Sequence, residues 1–113
     1  MRHLILAALL FATPALAQHA GHGATPAQEP ASTREFRDAN NRMHAAMAIP
    51  FTGNADRDFL AGMIAHHQGA IDMARVELRH GTDAQTRALA QAIITAQEAE
   101  ILQMRAMLAR LSR

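Results

Sequence analysis

Residues 63–74, MIAHHQGAIDMA, hold two adjacent histidines between methionines in a chain that has no cysteine. Neutral imidazole nitrogen and thioether sulfur together form a soft ligand set, which suits copper(I) better than zinc, magnesium or calcium. The chain has seven histidines and seven methionines, against four phenylalanines and no tyrosine or tryptophan. Methionine alone is an ordinary core residue, so its pairing with histidine at helical spacing is what indicates a metal site.

The same pairing occurs twice, as Met43-His44-x-x-Met47 and as Met63-x-x-His66-His67. A single histidine on an apolar helix face is more often a hydrogen-bonded core residue than a ligand. Methionines such as those at 104 and 107 are likewise more often core residues. The recurrence of Met/His groups on two separate segments nevertheless favours metal binding over a purely structural role.

The N-terminus predicts export. A short basic start precedes the apolar run Leu4–Ala12, and Ala15-Leu16-Ala17 has the small residues of a signal peptidase site. Nine apolar residues are far fewer than the roughly 20 that cross a bilayer as a helix. We therefore expect a signal peptide at 1–17, a protein located in the periplasm or secreted, and no membrane insertion after cleavage. Thiols are readily oxidised outside the cytosol, which suits a soft-metal site built without cysteine.

The rest of the chain predicts a disordered, histidine-containing arm at 18–31 and a helical domain at 32–113. Residues 18–31, QHAGHGATPAQEPA, have no apolar periodicity. Capping boxes that open at Ser32 and Thr82 predict the starts of the first and third helices. Asn54 or Asp56 can cap the second helix, and Gly81 can end it.

Three helices with short connections predict an all-α, antiparallel, up-down-up bundle. About 80 ordered residues make a small core, so a homodimer is one way to complete the bundle.

Helical periodicity of about 100° per residue places His67 in the middle of the apolar face of the second helix. It also places Gln97 and Glu100 among the apolar residues of the third, a stripe predicted to comprise Leu89, Ile93, Gln97, Glu100, Met104, Met107, Leu108 and Leu111. Buried polar groups need partners, so we expect Glu100 to accept a hydrogen bond from His67 or, as the alternative, from His44. A carboxylate on one ring nitrogen leaves the other nitrogen free for metal.

Several function classes are disfavoured. Without Arg2 the exported chain would have ten arginines, no lysine and ten acidic residues, so no basic patch for nucleic acid is expected. Glu77-x-x-His80 has di-iron spacing, but the further glutamates that such a site needs are missing. Neither a nucleophile arrangement nor a phosphate loop is found. We therefore expect no enzyme.

The segments MHAAM, DRDFLAGMIAHHQGAIDMA and LAQAIITAQEAEILQM, within residues 36–108, resemble a family of secreted bacterial helical bundles. The family is known as domain of unknown function 305 and includes CopM-type copper-binding proteins. The resemblance implies a ferritin-like bundle that binds copper(I) or silver(I) in copper tolerance or trafficking. It implies Gln97 and Glu100 as the polar residues that support the ligands. The implied ligands are Met43, His44, Met47, Met63, His66, His67, Met73, Met104 and Met107.

The leading hypothesis is therefore a protein that buffers copper or hands it on, with a copper-exporting or copper-accepting protein as its partner. The alternative is a helical interaction module, chaperone-like, in which the histidines and methionines are structural and no metal binds.

Overall fold

The computed structural model describes residues 28–112, which form three α-helices joined by short loops. They are α1 (Ala31–Met47), α2 (Ala55–His80) and α3 (Ala84–Leu111), and this range contains no strand. The predicted all-α bundle is confirmed. The predicted signal peptide and nearly all of the predicted arm lie outside the described residues. None of the three helices is both long and apolar enough to span a bilayer.

Side chains at the helix starts confirm one predicted cap and correct two. The Asn54 side chain accepts a hydrogen bond from the Arg57 N–H at 3.1 Å, as predicted for the start of α2. At α3 the cap is Asp83, whose carboxylate accepts from the Thr86 N–H at 2.7 Å, and the predicted cap at Thr82 is wrong. The predicted cap at Ser32 is also wrong, because Ser32 lies inside α1 and Pro30 precedes the helix without a side-chain cap.

Helix α2 is the centre of the fold. It packs against both other helices, whereas no Cα atom of α1 comes within 8 Å of a Cα atom of α3. The start of α1 meets the end of α2, where the Glu35 carboxylate pairs with Arg79 and with His80. Further along, Arg75 of α2 pairs with Glu98 of α3 at 3.2 Å. Both neighbours therefore run antiparallel to α2, with a groove left open between them.

The core lies along the contact between α2 and α3. Ile71 is almost completely buried, and removing such a side chain from water stabilises a fold by about 1.5–3 kcal/mol. The buried residues that pack together in this cluster are Leu60, Ile71, Ala74, Ala90, Ile94, Ile101 and Met104.

The apolar stripe predicted for α3 is rotated by part of a turn from the face that packs on α2. The predicted stripe left out Ala90, Ile94 and Ile101, which are the residues buried on α3 together with the predicted Met104. Leu89, at 61% exposure, and Met107, at 38%, were expected in the core and lie at the surface. The physical reason is that α3 carries apolar residues around more than half of its circumference, so periodicity alone does not identify the face that α2 covers.

The opposite side of α2 receives α1 through small residues. Ala39 of α1 is fully buried, and Gly69 of α2 is buried beneath Met43. A Cβ atom on Gly69 would lie 2.6 Å from the Met43 Cβ and 2.5 Å from its sulfur. Because the conflict includes the Cβ atom near the α1 backbone, a side chain at position 69 would push the two helices apart.

The loop between α1 and α2 is held by Asp58. One carboxylate oxygen accepts from the Thr52 N–H at 2.9 Å and hydroxyl at 2.8 Å, and the other accepts from the Gly53 N–H at 3.1 Å. The Thr52 N–H, followed by its hydroxyl, lowers the pKa of Asp58 below its usual value. These hydrogen bonds stabilise the fold fully above the pKa that Asp58 has in the unfolded chain. Their contribution is lost as the pH falls through the lowered pKa of Asp58 in the folded chain.

We predict opposite effects for two Gly→Ala changes within α2. Gly69→Ala should destabilise the fold by about 1–3 kcal/mol, because the new methyl group overlaps Met43. Gly62→Ala meets no atom within 4 Å and should stabilise it by about 0.5–1 kcal/mol through helix propensity. Urea unfolding followed by circular dichroism measures both. Equal stabilisation by the two changes would show that α1 does not approach α2 at Gly69.

Candidate metal centre

Four of the predicted ligands line a single cleft between α2 and α3. Met63 and His67 are one helical turn apart on α2, and Met104 and Met107 are three residues apart on α3. Since the two helices are antiparallel, residues later in α2 lie opposite residues earlier in α3. The cleft has a volume of about 400 Å³, and its lining is Phe59, Leu60, Met63, His67, Glu100, Gln103, Met104 and Met107.

Burial is graded across the cleft. His67 and Met104 lie at its base, each only 9% exposed, whereas Met107 lies at its mouth. Met63 is half-buried between these levels. Thioether sulfurs are therefore available from the open mouth of the cleft down to its buried base.

The predicted pair of His67 and Glu100 is present. The His67 Nε2 atom lies 2.6 Å from a carboxylate oxygen of Glu100, whereas the alternative partner, His44, lies exposed on α1. The Glu100 side chain is 55% exposed, so the expectation that it lies buried in the core is wrong. Its aliphatic stem follows the helix surface while its carboxylate reaches the imidazole from the solvent side.

The other ring nitrogen of His67 is unpaired within the described part of the chain. Its Nδ1 atom is fully buried and forms no hydrogen bond with residues 28–112. When Nε2–H donates to the carboxylate, Nδ1 carries the lone pair, because a neutral imidazole has one donor and one acceptor nitrogen. An unpaired buried acceptor costs free energy, and a soft metal ion is one species that could satisfy it. The donor set of the cleft thus fits copper(I).

Two predicted ligands lie elsewhere on α2 and α1. Met43 packs on Gly69, which is on the side of α2 opposite to His67. Met73 lines a second groove of about 310 Å³ together with Phe36, Leu89, Ile93 and the predicted polar residue Gln97. The Gln97 side-chain oxygen is buried without a hydrogen-bond partner and is not at the cleft.

The remaining three predicted ligands are at the surface. His44 and Met47 are exposed near the end of α1, and His66 is exposed on α2. The His66 ring meets the His67 ring edge to face, with 6.1 Å between their centroids. The nine predicted ligands therefore do not form one cluster. They form a cleft group of four, with His66 next to it and the others apart.

Gln103 and Phe59 also line the cleft but are not among the predicted site residues. Gln103 is three residues after Glu100, and Phe59 is four residues before Met63, so helical spacing alone would place both at the cleft. The ligand chemistry does not predict them, because an amide and a phenyl ring are not ligands for a soft metal.

A harder kind of metal site is not found in the described range. No three His, Asp or Glu side chains within residues 28–112 come together as a possible metal site.

We predict that Glu100→Ala lowers stability by about 1 kcal/mol, because a buried imidazole N–H loses its acceptor. The loss of stability should lie at the low end of the roughly 1–3 kcal/mol expected for an unsatisfied buried group, since water can reach the position that the exposed carboxylate leaves. Glu98→Ala is the matched control, because it removes an exposed ion pair with Arg75 and should change stability by less than about 0.5 kcal/mol. Thermal melts compare the two variants. A larger loss from Glu98→Ala would contradict the assigned role of Glu100.

No curated protein matches the chain. Residues 8–108 match the family described as a domain of unknown function, DUF305. The match spans most of the chain and includes every residue of the cleft. The chain therefore belongs to the DUF305 family.

Proposed function

We propose that this chain is an exported protein that binds copper(I) or silver(I) and either buffers the ion or hands it to another protein. The observation that carries the proposal is the convergence of three thioethers and one buried imidazole on a single cleft. These are Met63, Met104, Met107 and His67.

The chemistry of the donors supports a soft monovalent ion. Thioethers bind copper(I) well and hard or borderline dications poorly. A monovalent ion also loses less hydration energy on entering a partly buried cleft than a divalent ion does. The Glu100 carboxylate, which lies against His67, provides a compensating negative charge and orients the imidazole, as carboxylates beside metal-binding histidines do.

The exposed donors suggest how the ion could arrive and leave. His66 has its ring beside that of His67, and Met107 lies at the mouth of the cleft. Both are exposed in the single chain, where a partner that gives or takes the ion can reach them. In this proposal they form the transfer end of the site, and Met104 and His67 form its retaining end. The partner is a copper-exporting or copper-accepting protein.

Export is part of the proposal because of the N-terminal sequence, in which an apolar run is followed by Ala15-Leu16-Ala17. A site made of methionine and histidine keeps its ligands in an oxidising compartment, where free thiols tend to be lost to disulfides. A binding role without catalysis is proposed, with the periplasm or the extracellular space as the location.

Removing two of the cleft thioethers should lower copper(I) affinity. We predict that the double change Met63→Leu and Met104→Leu weakens binding at least ~10-fold for each lost ligand. Leucine has a similar volume, so helical content should stay the same. The matched control is Met43→Leu, on the far side of α2, which should bind copper(I) like the parent. Competition with a chromophoric copper(I) chelator under anaerobic conditions measures all three proteins.

Three results would contradict the proposal. One is the absence of copper(I) binding by the parent, which would favour the interaction module with a structural pair of His67 and Glu100. Another is an equal loss of affinity in the Met43→Leu control. A third is zinc binding at the cleft that is as tight as copper(I) binding, because the thioether donors would then not determine the choice of metal.

A further inference from the structure

The open groove above α2 has the properties of a helix-packing surface. We call this surface the front face and define it by Phe36 of α1, Phe59 and Met73 of α2, and Leu89, Ile93 and Met107 of α3. Phe36, Met73, Leu89 and Ile93 line the groove between the three helices, and Phe59 and Met107 line the cleft between α2 and α3. Phe59 is 62% exposed and Leu89 is 61% exposed. Large apolar side chains that share one face indicate an interaction surface.

The front face has a stripe of side chains on each of two helices. On α2 the apolar residues of the stripe are Phe59, Met63, Ala70 and Met73, with His66 and Glu77 among them. On α3 the stripe consists of Ala90, Ile93, Met104 and Met107, together with the polar residues Thr86, Gln97 and Glu100. Apolar residues at intervals of three and four form a stripe that interlocks with the stripe of a facing helix. The apolar part of the front face is therefore shaped to receive helices.

The opposite side of the molecule, which we call the back face, is different. A row of charged residues crosses all three helices there, with Arg42 on α1 paired to Asp72 on α2 at 3.7 Å. Asp72 also lies near Arg75, and Arg75 pairs with Glu98 on α3. Such a solvated network is typical of an outer surface. Within residues 28–112, the front face is therefore the side of the three helices that no further helix covers.

We propose that the front face is the interface of a homodimer, in which two copies of this chain pack face to face. A second copy fits because it carries the same stripes and the same apolar residues, as a two-fold symmetric interface requires.

The area of the front face is sufficient for a stable dimer. Helix α2 has 26 residues and is about 40 Å long, and three adjacent helices span about 20 Å. Each copy would bury about 800 Å², which gives the roughly 1,600 Å² of a standard stable interface.

The chain offers two leucines that separate this interface from general effects of surface charge. Leu89 lies on the front face, whereas Leu102, at 68% exposure, lies on the back face beside Arg75 and Arg105. Both are on α3 and both are exposed, so replacing either one by glutamate should leave the isolated chain folded. Phe59→Ser changes the other end of the front face and provides a second, independent variant.

Sedimentation equilibrium of the metal-free protein, with a copper chelator present, tests the proposal separately from metal binding. The parent and Leu102→Glu should be dimers. Leu89→Glu and Phe59→Ser should be monomers with unchanged helical content, and Leu89→Glu should weaken association at least ~100-fold because each dimer would bury two unpaired charges. A monomeric parent at about 100 µM would overturn the proposal, since the face would then serve a different partner. Dissociation by Leu102→Glu instead of Leu89→Glu would overturn it too.

Discussion

The position of α2 between two helices that do not contact each other is the constraint on which the rest of the structure depends. One side of α2 must be almost flat so that α1 can approach, and Gly69 beneath Met43 provides this. The other side must be bulky and apolar to form the core with α3, and Ile71 provides this. His67 is on the bulky side, two residues from Gly69. The same helix therefore separates Met43 from the cleft while it places His67 within it.

The cleft follows from that arrangement and from one hydrogen bond. His67 is buried on a mostly apolar surface, where an unsatisfied ring N–H would be costly. Glu100 supplies an acceptor from the edge of α3 at 2.6 Å, and the buried Nδ1 atom has no partner among residues 28–112. Three methionines line the same cleft as His67, from its buried base to its mouth. A polar residue in a core is often only structural, but here the unpaired nitrogen and the thioethers that line the cleft together fit a soft ligand.

Much of this arrangement could be predicted from the sequence, for identifiable physical reasons. Proline, glycine and capping residues divide the chain into three segments, and the face of α2 that contains Leu60, His67 and Ile71 has a clear period. The pairing of His67 with Glu100 could be predicted because a buried imidazole needs an acceptor. The cap at Thr82 was predicted wrongly because the neighbouring Asp83 accepts the hydrogen bond instead. The cap at Ser32 was predicted wrongly because α1 already begins at Ala31, after Pro30, and has no side-chain cap.

The grouping of the ligands could not be predicted in the same way. Spacing within a helix shows which residues share a face, but not which helix that face meets. Met43 and His67 each belong to a Met/His group in sequence, yet α2 separates them. Leu89 and Met107 have the period of core residues, and α3 nonetheless turns Ile94 and Ile101 toward α2. Which face of α3 packs on α2 depends on the packing of whole helices, and the sequence of one helix does not specify it.

The most direct test of the copper(I) or silver(I) site is to follow the methionine methyl groups by NMR while silver(I) is added. All methionines can be labelled at the methyl carbon, and silver(I) is a redox-stable substitute for copper(I). We expect the methyl signals of Met63, Met104 and Met107 to shift together and to saturate at one silver ion per chain, while that of Met43 stays in place. Saturable shifts confined to Met43 or Met73, or no shifts at all, would contradict it.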